Sequence, residues 1–233
     1  MKKSLLSITL LLAVVFANAQ SLEDIISKYT IANKLDKVGN FKTIKISAKT
    51  SLMGMDMPME ISMKNPNKFK SVTSFNGQDI VQVFDGEKGY MVNPMAGSSD
   101  PVEMTADQLK EIGRNNIFSN YMSQYLKEGK LTLAGEDAVN GNPAYKVKAD
   151  LGNGNSAMLY IDKSSFLLTK TVADVNQGGM AITVESYPSE YTDSNGVFLP
   201  MKTTTSASGM EIVTTFTKVE VDIPMEDSIF KIK

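Results

Sequence analysis

Residues 53–59 read Met-Gly-Met-Asp-Met-Pro-Met, with Ile61 and Met63 close behind. Side chains two apart on an extended backbone point the same way, so Met53, Met55, Met57 and Met59 can share one face. Alternating thioethers are soft donors of the kind that hold copper(I). The same spacing also suits plain packing. Gly54 and Asp56 then turn the chain at a hairpin tip, and the unbranched methionines fill gaps in a core. Both readings stay open, although the lack of any histidine nearby weakens the metal one.

Elsewhere the side chains that do chemistry are sparse. The 233 residues contain neither histidine nor cysteine. That removes Ser/His/Asp and Cys/His nucleophile arrangements and the zinc sites built from His and Cys. No nucleophile elbow, Gly-rich phosphate loop or zincin helix is present. The acidic groups Glu185, Glu190 and Asp193, and Glu220, Asp222 and Asp227, lack the regular ligand spacing of a calcium loop. Lys45 and Lys49 read as solvated surface. The sequence therefore implies a binding protein with no catalytic residue, metal or cofactor.

The first segment addresses the chain for export. Lys2 and Lys3 precede an apolar run over residues 5–16, and Ala17-Asn18-Ala19 is a cleavage site that leaves Gln20 first. The run is too short to span a bilayer. Without cysteine there is no attachment point for a lipoprotein anchor, so residues 20–233 are expected as one periplasmic, disulfide-free domain. A net charge of −2, a pI near 5.4 and a single arginine, Arg114, argue against nucleic acid as a partner.

Few helices position anything here. Ser21 with Asp24 caps a helix whose apolar face is Leu22, Ile25, Ile26 and Tyr29, with Gly39 as its stop. Thr105 with Gln108 forms a capping box for a short helix ending near Gly113. A third helix is expected from Asn116, striped by Phe118, Tyr121, Met122, Tyr125 and Leu126 and stopped by Gly129. The remainder reads as strands. Ile44, Ile46 and Ala48 alternate with Lys45, Ser47 and Lys49, and further runs cover 58–63, 69–75, 80–84, 88–92, 130–133, 145–151, 157–161, 167–175, 180–191, 197–207 and 211–221. Asn76-Gly77, Asp85-Gly86, Asn140-Gly141, Asn153-Gly154, Gln177-Gly178-Gly179, Asn195-Gly196 and Ser208-Gly209 punctuate them. Short turns make antiparallel neighbours, and a meander this long has to curl. The fold class is thus α+β, mainly antiparallel β, with a concave apolar face.

The ordered series of these segments resembles the periplasmic lipoprotein-carrier superfamily, LolA/LolB-like and including outer-membrane lipoprotein-sorting proteins. It runs from the N-terminal helix through Asn65-Pro66-Asn67-Lys68-Phe69-Lys70, Val83-Phe84-Asp85-Gly86, Tyr90 and Asn93-Pro94. It continues with Leu133-Ala134-Gly135-Glu136, Val139-Asn140-Gly141 and Leu159-Tyr160-Ile161-Asp162, then the Tyr187 to Pro200 stretch and Phe230. The resemblance implies a single curved sheet forming an unclosed β-barrel with a helical lid. It implies a lipid or acylated protein as cargo, membrane-associated donors or acceptors as partners, and a monomer. It places the cavity between the sheet and the expected third helix, with Ile61, Met63, Phe118, Tyr121, Met122 and Tyr125 as lining. In that frame Met53, Met55, Met57 and Met59 become an adaptable apolar lip at the mouth. The sequence departs from the family in one respect: its early strands lack the lid-holding arginine of well-known members, and Arg114 sits in the helical region instead. The same concavity also suits a sensor or adaptor that binds a protein segment.

Overall fold

The computed structural model describes residues 20–114, 116–152, 154–177 and 180–232. The expected leader at 1–19 lies outside these, as do Asn153, Gly178 and Gly179 of two expected turns. In chain order the elements are α1 (Leu22–Ala32), β1 (Thr43–Leu52), β2 (Met55–Lys64), β3 (Lys68–Phe75), β4 (Gln78–Phe84), β5 (Gly89–Asn93) and β6 (Ser98–Glu103). Helices α2 (Ala106–Arg114) and α3 (Tyr121–Lys127) follow. Then come β7 (Leu131–Val139), β8 (Asn142–Gly152), β9 (Asn155–Asp162), β10 (Leu168–Gln177), β11 (Met180–Ser194), β12 (Val197–Ala207) and β13 (Met210–Val221).

All thirteen strands belong to one antiparallel sheet ordered β6-β5-β4-β3-β2-β1-β13-β12-β11-β10-β9-β8-β7. Neighbours in space are neighbours in sequence except at β1–β13, where the first and last strands zip together. β6 and β7, consecutive in sequence, end up on opposite edges. The barrel is therefore unclosed, and residues 104–130 have to cross from one edge to the other.

Turn chemistry sets the meander. Met53-Gly54, Asn76-Gly77, Asn140-Gly141, Asn195-Gly196 and Ser208-Gly209 all carry positive φ at both central residues, the geometry whose twist matches that of a hairpin. The first tip is consequently Met53-Gly54, and β2 begins at Met55 opposite Leu52 rather than at Pro58. One strand, β6, was not expected from its Ser-Ser-Asp-Pro sequence. Proline is tolerated there because β6 is an edge.

The helix ends are also set locally. Asp24 N–H donates to Ser21 Oγ at 3.1 Å, as the cap requires. α1 ends before Gly39 because buried Asn33 turns back, its Nδ2 donating to the carbonyls of Tyr29 and Phe166. The capping box is reciprocal, Gln108 N–H to Thr105 Oγ1 at 3.3 Å and Thr105 N–H to Gln108 Oε1 at 2.8 Å. The third helix starts five residues later than the sequence suggests. Asn120, not Asn116, accepts from the backbone N–H three residues on, so Phe118 precedes the helix.

Residues directly opposite one another across the strands share a face. Followed strand by strand, the registers place two core clusters on the same concave side. One holds Ile25, Ile26, Leu131, Tyr145, Val147, Ala149 and Ile161, with Tyr29, Met122, Tyr125 and Leu126 packed on it. The other holds Ile44, Ile46, Ala48, Ile61, Met63, Val197 and Val219, with Phe41, Met59, Phe69, Ile117 and Phe118. On the opposite side, residues 222–232 strap β1 to β5. Thr43 Oγ1 donates to the Ile223 carbonyl at 2.7 Å, Lys64 and Lys68 each reach Asp227 at 2.7 Å, and Phe230 is 1% exposed.

Candidate functional site

The hairpin tips 53–54, 76–77 and 208–209 lie together at one end of the sheet, the rim; the other end is the base. The two clusters occupy the concave face toward the base. The 104–130 crossing lies over them. α2 seats against β5 because Gly89 has no side chain: a Cβ there would come within 2.5 Å of Leu109 Cδ2. α3 is tied to α1 by Asn120 Nδ2, which donates to Thr30 Oγ1 at 3.0 Å. Asn116 Nδ2 donates to the Pro66 carbonyl at 2.8 Å and pins the middle of the crossing to the β2–β3 link.

This arrangement divides the residues expected to line one cavity. Ile61, Met63 and Phe118 join the second cluster, whereas Met122 and Tyr125 join the first, beneath α1. Tyr121 meets Tyr125 edge to face at 5.9 Å. The space under the crossing is thus occupied by the protein's own side chains. A pocket bordered by Met63, Phe69, Phe84, Ile112 and Asn116 holds ≈ 20 Å³, room for one water. An open cleft of ≈ 400 Å³ lies on the convex side among Asp85, Lys88, Tyr90, Pro101, Phe230 and Lys231. There Asp85 is already spent on the backbone N–H groups of Glu87 and Lys88, which hold its carboxyl below the usual range.

The methionines form a gradient along β2. Exposure rises from 8% at Met63 through half-buried Met59 and Met57 to 46% at Met55, and Met53 on the tip reaches 80%. Met53 stands in left-handed backbone outside the strand, so three thioethers of the 53–59 run, not four, follow the alternation. Thr50 Oγ1 lies 3.8 Å from Met59 Sδ. This strand therefore joins the packed base to an uncovered rim half.

Charge is sorted by face. Among the described residues, the register-paired concave positions from β4 round to β8 carry no lysine, arginine, aspartate or glutamate: Phe69, Ser71 and Thr73 on β3, Thr50 and Leu52 on β1, Ile212 and Thr214 on β13, Thr203 and Thr205 on β12, Ser186 on β11 and Thr171 on β10 are typical, while Glu190, which alternation would set opposite Met201, stands exposed in left-handed backbone. The convex face carries the ion pairs Lys45–Glu60 at 2.9 Å, Lys49–Asp56 at 2.8 Å and Lys170–Glu185 at 3.0 Å. The Tyr187 hydroxyl and Lys170 together keep Glu185 below the ordinary carboxylate range. On the concave side, burial pushes the Tyr29 phenol up to about 12, so it stays neutral at physiological pH.

Two features went unseen in the sequence. One is the row of hydroxyls on the concave rim half, signalled only by the Thr203-Thr204-Thr205 run. The other is the C-terminal strap, whose single cue was the closing Phe230.

With this geometry described, three solved structures provide the comparison. A LolA superfamily protein from Nitrosomonas europaea matches with a TM-score of 0.59 at 13% identity, covering 91% of this chain and 98% of that one. An outer membrane lipoprotein-sorting protein domain from Vibrio parahaemolyticus matches at 0.59 with 9% identity over 88% and 95%. A DUF1329 family protein from Desulfovibrio piger matches at 0.57 with 14% identity over 89% and 97%. The fold is LolA-like. No protein-family model matches the chain, and no curated protein matches it significantly. The likeness is one of overall architecture, with little shared residue identity.

Proposed function

We propose that this LolA-like protein is a non-catalytic soluble carrier for a lipid or an acylated protein. In this reading it is exported by cleavage after Ala19 and works in the periplasm as a monomer between a membrane-associated donor and acceptor. One observation carries the reading: a concave sheet face whose register-paired positions from β4 to β8 carry no charge among the described residues, packed toward the base and only half-buried toward the rim. Each methylene moved from water onto such a face is worth about 0.8 kcal/mol, and a charge on the path would oppose the move. α3 joins α1 through the Asn120–Thr30 and Ser123–Thr30 hydrogen bonds and through Met122, Tyr125 and Leu126 in the first cluster, so in this reading lifting the crossing would extend the apolar floor beneath it. No helix among the described residues is long and apolar enough to cross a membrane.

Native mass spectrometry of the mature protein purified without detergent tests the proposal. Co-purifying lipid, released by organic extraction, is the expected result. A stoichiometric protein partner with no lipid would replace the carrier by an adaptor.

A further inference from the structure

The rim half of the concave face is uncharged but not wholly apolar. Across it, register aligns Met57, Thr50, Thr214, Thr203 and Pro188 in one row, and Met55, Leu52, Ile212, Thr205, Ser186 and Thr171 in the next. The hydroxyls of Thr50 and Thr214 lie 3.3 Å apart, and those of Ser186 and Thr205 3.1 Å apart. A hydroxyl carries one proton and two lone pairs, so the Ser186–Thr205 pair uses one of its protons and leaves the other to donate outward, and with Thr50 donating to Thr214 or to Met59 Sδ the Thr214 proton is left to do so. Among the described residues, the Thr171 and Thr203 hydroxyls have no protein hydrogen-bond partner. All six residues are half-buried, and none belongs to either core cluster. Methionines border the row on the β2 side.

We propose that this hydroxyl row is a subsite for the ester carbonyls of a diacylglyceryl unit, which makes the carrier selective for esterified over ionised acyl chains. The proposal rests on the carrier reading. A donor-rich, cation-free surface suits a carbonyl, which needs one O–H and brings no charge. A fatty-acid carboxylate or a phosphate set there would shed water with no lysine or arginine to replace it. From β1 to β10 the row spans five strands, roughly 19 Å at ordinary strand spacing, wide enough to lie beside more than one ester. Acyl chains leaving these esters meet Met55, Met57 and Leu52 on one side and the clusters toward the base on the other. A plain solvated sheet would not need its threonines on the same side as its core.

The experiment compares three fluorescent probes of equal chain length on the full mature protein: a diacylglycerol, a fatty acid at neutral pH and an alkane. The variant carries Thr50→Val, Thr203→Val, Thr205→Val and Thr214→Val, which keep shape and β-branching. A second variant carries serine at the same positions and keeps the hydroxyls. The wild type is expected to bind the diacylglycerol at least about tenfold tighter than the fatty acid, as one or two hydrogen bonds allow. The valine variant should lose that preference with alkane binding unchanged, and the serine variant should retain it. Should the valine set not fold, Thr203→Val alone replaces it, since its hydroxyl supports no protein contact. Alkane binding without an ester preference, or a preference that survives the valine changes, overturns the subsite and leaves the carrier standing. Binding of no probe by the wild type overturns both. A diacylglyceryl-cysteinyl peptide that outcompetes the diacylglycerol assigns the ester unit to an acylated protein, and weaker competition assigns it to a free glyceride.

Discussion

Truncating the methionines of β2 one at a time should expose the gradient along that strand. Met63 is 8% exposed and packed among Ile44, Phe69 and Val219. Cutting it to alanine removes nearly a whole buried side chain and leaves a cavity, a loss of about 2–5 kcal/mol. Met53, 80% exposed, has only a fifth of its surface to lose, so Met53→Ala should cost roughly 0.5 kcal/mol or less. Met55, 46% exposed, falls between them at about 1 kcal/mol. For a domain of this size each kcal/mol moves Tm by roughly 2–4 °C, so Met63→Ala should melt roughly 5–15 °C lower, with Met53→Ala barely displaced. Urea unfolding with an unchanged slope would show that the folded state, not the denatured ensemble, carries the difference. Replacing Met53, Met55, Met57 and Met59 together by serine should weaken uptake of a fluorescent acyl probe more than it lowers Tm. Equal destabilisation by Met53→Ala and Met63→Ala would refute the gradient, because the tip would then be buried in solution. Tight copper(I) chelation by the wild type, lost in the serine variant with probe uptake unchanged, would assign the strand to a metal instead.

Three further outcomes follow from the packing. Phe230→Ala should cost about 3–5 kcal/mol, since it empties the buried convex-side anchor of the strap; a Tm within a degree or two of wild type would show that the strap is dispensable. Lys64 and Lys68 lower the Asp227 carboxyl from 3.8 to about 2, so its ion pairs contribute above pH 3.8 and fade as pH falls toward 2. The Asp227→Asn protein should accordingly show a shallower acid limb in Tm against pH, a small effect because the pair is solvated, and superimposable limbs would contradict it. Asn120→Ala removes both the α3 cap and the bond to Thr30, worth about 0.5–2 kcal/mol for the cap alone. Hydrogen exchange in α3 should quicken and acyl-probe uptake accelerate; uptake at the wild-type rate would show that the crossing does not gate the face.

Much of this architecture is local chemistry and was legible in the chain itself. The Asn-Gly tips, the Ser21 cap and the Thr105–Gln108 box are each decided within four residues by which φ values and hydrogen bonds those side chains allow. The alternation of Ile44, Ile46 and Ala48 with Lys45, Ser47 and Lys49 likewise announced a strand with a dry face and a wet one. The periodicity says that a strand has two faces and not what covers either of them. Only the tertiary structure decided that β1 pairs with β13, so that β6 and β7 become edges and the segment between them has to cross the sheet. That crossing buries Met63 and leaves Met55 open on the same face of one strand, and it sends Phe118 and Met122 into different clusters although they are four residues apart. The hydroxyl row was invisible for the same reason. Thr50, Thr171, Ser186, Thr203 and Thr214 are far apart in sequence, and each alone is an ordinary strand residue. They become neighbours through the registers of four strand pairings, and a slip of one residue in any of these would turn part of the row to the charged side.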